Sequence, residues 1–119
     1  MTTPVTYRPP TNSEKALLDR LLSASFPGKE QLQEQLTDIM VSVIDGSGSL
    51  ALQVTRDLVA EVRKRIPVEA EYSDTDGVLV HVLLHVVNGK LDELEIYRED
   101  SLPLKKPLDP QQFQLLVLG

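Results

Sequence analysis

Residues 66–98 carry apolar side chains at every second position, a period that commits this stretch to extended strands with two unlike faces. Val68, Ala70 and Tyr72 alternate with Glu69 and Glu71. Val78, Val80, Val82, Leu84 and Val86 alternate with Leu79, His81, Leu83 and His85, and Leu94 and Ile96 alternate with Glu93, Glu95 and Tyr97. The turn residues of 73–77 (Ser-Asp-Thr-Asp-Gly) and of Asn88-Gly89 divide the stretch into three runs, about 66–73, 78–87 and 91–98, which read as an antiparallel meander.

The register of the second hairpin decides which residues meet the core. A two-residue turn at Asn88 and Gly89 sets Leu84 against Glu93 and Val82 against Glu95, which buries carboxylates in an apolar layer at a high desolvation cost. A three-residue loop with Gly89 left-handed changes the parity and pairs Val82 with Leu94 and Val80 with Ile96. We therefore expect the latter. One face then holds Val68, Ala70, Tyr72, Val78, Val80, Val82, Leu84, Val86, Leu94 and Ile96, and needs a covering layer. The other holds Glu69, Glu71, Leu79, His81, Leu83, His85, Glu93, Glu95 and Tyr97.

Thr11 and Glu14 are spaced for a capping box before Leu17, Leu18, Leu21 and Leu22, and Leu32 and Leu36 mark a second, short surface helix after Pro27-Gly28. From Ile39 the period becomes two. A loop at 45–48 places Val43 opposite Leu50, Val41 opposite Leu52 and Ile39 opposite Val54, as one apolar face. Residues 55–65 suit either a helix or a strand, and Ile66-Pro67 favours a strand from about Glu61, with Pro67 at an edge or bulge. Asp109-Pro110 begins a helical turn, and Phe113, Leu115 and Val117 form a last short strand over a sheet edge. The expected architecture is α+β: two N-terminal helices on an antiparallel sheet of about five strands, a hairpin at 39–54 plus a meander at 61–98, with the short C-terminal strand added. Residues 1–10, rich in proline, form an extended arm, and 11–119 form one domain.

The formal charge is −6, and it is unevenly placed. Between Ile66 and Asp100 nine acids (Glu69, Glu71, Asp74, Asp76, Asp92, Glu93, Glu95, Glu99, Asp100) face two bases (Lys90, Arg98), so the acidity belongs to the meander. Such a surface disfavours nucleic acid and favours a basic protein partner. With no cysteine, thiolate chemistry, disulfides and cysteine metal sites are excluded. No apolar run reaches the ~20 residues of a membrane helix, and the N-terminus lacks a secretory pattern, so a cytoplasmic location is expected.

His81 and His85 share a face with glutamates, but four strand residues separate them by roughly 13 Å, too far to hold one ion together. A single site of His81 with Glu69 and Glu95 is the sharper possibility for a metal-dependent or hydrolytic enzyme. Cross-strand pairing is the simpler expectation, with no metal, cofactor or catalytic residue. Leu79 and Leu83 on this face call for cover by the C-terminal segment, by self-association or by a partner, and Tyr97 adds an amphipathic ring. Asp45-Gly46-Ser47-Gly48 fits a hairpin loop rather than a nucleophile elbow, and Asp74-Thr75-Asp76-Gly77 fits a turn, since the distal glutamate of a calcium loop is missing. Arg63-Lys64-Arg65 reads as an internal counterweight to the acidic meander.

The strings Arg65-Ile66-Pro67-Val68-Glu69-Ala70-Glu71, Val80-His81-Val82-Leu83-Leu84-His85-Val86-Val87 and Glu93-Leu94-Glu95-Ile96-Tyr97-Arg98-Glu99-Asp100 resemble a family of small bacterial proteins classed as a domain of unknown function. The likeness extends over most of the chain from Arg8. It implies glycine after Glu99-Asp100, where this chain has Ser101. In size, acidity and architecture the chain is also similar to immunity proteins of bacterial toxin systems. That likeness fixes no residue; the segregated charge and the leucines of the acidic face lead us to expect a non-enzymatic, immunity-like binding module presenting the face around His81, His85, Glu93, Glu95 and Tyr97 to a basic protein.

Overall fold

Thr11 starts helix α1 (Asn12–Leu21) through a reciprocal cap: the Glu14 amide donates to the Thr11 hydroxyl at 3.1 Å, and the Thr11 amide donates to the Glu14 carboxylate at 2.8 Å. The computed structural model describes residues 6–119. Leu17, Leu18 and Leu21 lie on one side of α1 and are buried, as are Leu32 and Gln35 of α2 (Lys29–Gln35). A 3-10 turn at Leu36–Asp38 leads into the sheet. No helix among the described residues is long and apolar enough to cross a membrane.

Among the described residues six strands form one antiparallel sheet: β1 (Met40–Val43), β2 (Leu50–Gln53), β3 (Val68–Ser73), β4 (Leu79–Val87), β5 (Lys90–Arg98) and β6 (Gln114–Val117), in the order β1-β2-β5-β4-β3-β6. The fold is α+β as expected, with six strands rather than about five. Burial along β4 alternates without a break, and Val80, Val82, Leu84, Leu94 and Ile96 join Leu18, Leu21, Leu22 and Leu32 in the core. Each such leucine, fully withdrawn from water, contributes about 2 kcal/mol. A 3-10 turn at Pro110–Gln112, capped by Asp109, precedes β6, and Phe113 stacks on Tyr72 at 5.7 Å between ring centres.

The β4–β5 hairpin corrects the expected register. Asn88 (φ 53°) and Gly89 (φ 75°) form a two-residue turn, so that Val87 pairs with Lys90 and Val86 with Leu91. Between His85 and Val86 the register shifts, leaving Asp92 as an extra residue; His85 then faces Glu93, Leu84 faces Leu94 and Val82 faces Ile96. The parity that keeps Glu93 and Glu95 out of the core is therefore reached by a bulge, and the pairs Val82–Leu94 and Val80–Ile96 do not form. Gly89 is required twice over, because besides its positive φ a Cβ there would lie 2.7 Å from the Ala60 carbonyl oxygen.

Two other expectations are corrected. The hairpin pairs Val43 with Leu50 and Val41 with Leu52, but it stops at Met40–Gln53, so Ile39 and Val54 are not partners, and Val43 is 60% exposed at the uncovered end of the face. Residues 54–67 form neither helix nor strand, and β3 begins only at Val68. Pro67 lacks an amide, and the backbone pairs around it are irregular: Val86 donates to the Arg65 carbonyl at 2.7 Å and Leu118 to the Pro67 carbonyl at 2.8 Å. Of the N-terminal arm, residues 1–5 lie outside the described residues. Arg8 exchanges two backbone hydrogen bonds with Val41, at 2.9 and 2.7 Å, and its guanidinium forks onto Glu14 at 2.7 and 2.9 Å, straps that protect the β1 edge.

Candidate binding face

The register lays the exposed residues of β3, β4 and β5 in rows. Glu71, His81 and Tyr97 form one, Glu69, Leu83 and Glu95 the next, and His85 and Glu93 continue to Ala51 of β2. Both helices pack on the opposite side. All nine expected residues lie on this face, half-buried except for Tyr97, which is 42% exposed. The C-terminal segment does not cover it. β6 pairs edge-on with β3 instead, and Leu116, opposite Glu69, widens the face.

The histidines take diagonal partners, and this departs from the expected site. His81 Nε2 lies 2.7 Å from a Glu99 oxygen, and its ring stacks on Tyr97 with 5.1 Å between centres and 24° between planes. His85 Nε2 lies 2.8 Å from Glu95, while Arg65 Nε–H donates to His85 Nδ1 at 3.2 Å. A donor on Nδ1 assigns the proton to Nε2, the side facing Glu95. The cluster able to surround a cation is thus His85, Glu93 and Glu95, whose ligand atoms lie within 4.8 Å of one another, and not His81 with Glu69 and Glu95. A metal on His85 Nε2 would have to displace that proton and disturb the Arg65 contact. Among the described residues, Arg63, Lys64 and Arg65 form no ion pair, so the basic tripeptide acts on the acidic face through the Arg65–His85 bond alone.

A second charged cluster accounts for three of the meander's acids. The Arg98 side chain, 1% exposed, shares the core-facing parity of Leu94 and Ile96 and is ringed by Asp74 (3.1 Å), Asp76 (2.8 Å) and Asp100 (2.6 Å). Guanidinium hydrogen bonds draw Asp100 down to about 2 and lower Asp76 as well. At Asp74 burial works to raise the pKa, but the Lys105 and Thr75 amides together with Arg98 outweigh it, and the net shift is downward. Hydrogen bonds to Asp100 and Asp76 raise Arg98 above the ordinary guanidinium value. This network fastens the β3–β4 turn to the chain after β5, and the alternation that places Ile96 inside was the available signal for Arg98. Of the six other acids, Asp92 is the exposed bulge residue, and glutamates 69, 71, 93, 95 and 99 are left on the open face.

The model of a domain of unknown function, DUF6984, matches residues 7–107. The chain belongs to the DUF6984 family. No curated protein matches it, and no solved structure does. The DUF6984 match takes in strands β1 to β5 and both histidines, and ends before β6. Ser101, at the position where the resemblance implies glycine, adopts φ 64°, a left-handed conformation that costs an L-residue about 1 kcal/mol. We expect Ser101→Gly to stabilise this DUF6984 protein by about 0.5 kcal/mol, since the flexibility of the unfolded glycine takes back part of the relief. Urea unfolding would register a higher midpoint at constant slope, and a lower midpoint would mean the Ser101 side chain contributes more than its strain costs.

Proposed function

We propose that this DUF6984 protein is a non-enzymatic binding module whose open sheet face docks a basic protein. The observation that carries the reading is the sorting of charge. Asp74, Asp76 and Asp100 are bound to Arg98, whereas Glu69, Glu71, Glu93, Glu95 and Glu99 gather on the face that no helix covers. Half-buried Leu79 and Leu83 lie among them, which gives the face the mixture of apolar area and like charge suited to a complementary surface. The likeness to immunity proteins makes a basic toxin domain the first partner to try.

The test is a charge reversal with a matched control. Glu69→Lys, Glu71→Lys and Glu93→Lys change three residues whose side chains make no hydrogen bond among the described residues. Asp19→Lys, Glu30→Lys and Glu34→Lys make the same change at exposed positions on the helices. A basic partner captured at low salt by the wild type and by the helix variant should bind the face variant at least about tenfold more weakly, in line with like-charge juxtapositions costing several kcal/mol. Equal capture by both variants, or no salt-sensitive partner at all, would overturn the reading.

A further inference from the structure

Within the acidic face one residue is built unlike the rest. Tyr97 presents an exposed ring whose inner side is stacked on His81, and His81 is in turn held by Glu99 at 2.7 Å, so the ring is backed and oriented before anything binds. Glu95 and Glu99 stand two residues to either side on the same face, roughly 7 Å away along the strand. Each spends only Oε1 on a histidine, at 2.8 Å for Glu95 and 2.7 Å for Glu99, and among the described residues neither Oε2 has a hydrogen-bond partner.

A π-face flanked by unused carboxylate oxygens matches one side chain better than any other. A guanidinium is flat, stacks on aromatic rings, and carries donors in its plane that reach a neighbouring carboxylate while the stack is kept. An ammonium can use the carboxylates but gains less from the ring. We propose that Tyr97 anchors an arginine of the partner protein, with the guanidinium lying on the outer side of the ring and donating to the free oxygen of Glu95 or Glu99. This rests on the reading of the face as a dock for a basic protein, and gives that partner a required residue. Pre-ordering of the ring and both carboxylates by the two histidines reduces the entropy lost on binding.

The experiment titrates the full chain at low salt with a Gly-Arg repeat peptide and a Gly-Lys repeat peptide of equal length and charge, following aromatic and amide NMR shifts. The expected result is that the arginine peptide binds about three- to fivefold more tightly and shifts the Tyr97 and His81 rings. In Tyr97→Leu, an exposed position whose unchanged amide spectrum would verify the fold, its affinity falls to that of the lysine peptide while lysine binding stays the same. Equal affinity for the two peptides in the wild type, or an arginine preference that survives Tyr97→Leu, overturns the anchor and leaves the acidic face standing. Failure of both peptides to bind overturns the anchor and the wider reading together.

Discussion

Gln35→Leu will cost this fold about 3 kcal/mol, although leucine matches glutamine closely in size and the site is wholly buried. The Gln35 side chain is 0% exposed and makes three hydrogen bonds to backbone: its Nε2 donates to the Leu58 and Gly89 carbonyls at 2.8 and 2.9 Å, and its Oε1 accepts the Leu91 amide at 3.0 Å. The Gly89 carbonyl keeps a second donor, the Ala60 amide at 2.8 Å. Leu58 C=O and Leu91 N–H lose their partner inside the protein, and each buried unsatisfied group costs roughly 1–3 kcal/mol, only partly offset by the added apolar surface. The urea midpoint should drop with little change in slope, and the Leu91 amide should exchange with solvent faster than its strand neighbours. An unchanged midpoint would mean that water or a local shift replaces all three bonds.

Arg98→Met will destabilise the protein more than this at neutral pH, and the deficit will shrink on acidification. Asp74, Asp76 and Asp100 titrate below the ordinary aspartate value of 3.8 in the folded protein. They therefore add stability that is fully present above that value and is lost as pH falls toward about 2, where Asp100 itself takes up a proton. Without the guanidinium, three carboxylates crowd one partly buried site with nothing to balance them, and their proton affinities in the folded state rise above those in the unfolded chain. Stability is then missing at pH 7 and returns as the carboxylates protonate. Glu14, held at about 2 by Arg8, gives both proteins the same acid loss, so the difference between their urea midpoints from pH 7 to pH 3 is the quantity to read. Parallel curves for the two proteins would overturn the account.

How far the sequence reveals this structure differs from element to element. The two faces of the meander follow from alternation, because a one-residue error in parity would bury Glu93 and Glu95, and any device that avoids it gives the same sorting. Which device the chain uses is not legible: a three-residue loop and a two-residue turn with a bulge at Asp92 satisfy the same constraint. Residues 54–67 escape pattern reading for another reason. Their path is set by tertiary bonds from Gln35 and Gly89, and a glutamine in an amphipathic helix carries no mark of being buried. The histidine partners were missed by one step along β5. Cross-strand counting points to the directly opposite residue, whereas His81 and His85 each reach the diagonal glutamate, at 99 and 95.

The bulge at Asp92 makes the start of β5 adjustable in length. Substitutions on β5 change one side chain at a time, so charge and shape on the open face can drift gradually without disturbing the core. Loss of the Asp92 codon would leave Val86 opposite Leu91, His85 opposite Glu93 and Leu84 opposite Leu94 in an unbroken ladder, whereas loss of a codon between Glu93 and Arg98 would turn the residues beyond it over. A change of one residue between Gly89 and Glu93 is thus absorbed by the bulge, and lineages of such proteins should vary in length there but not between Glu93 and Arg98.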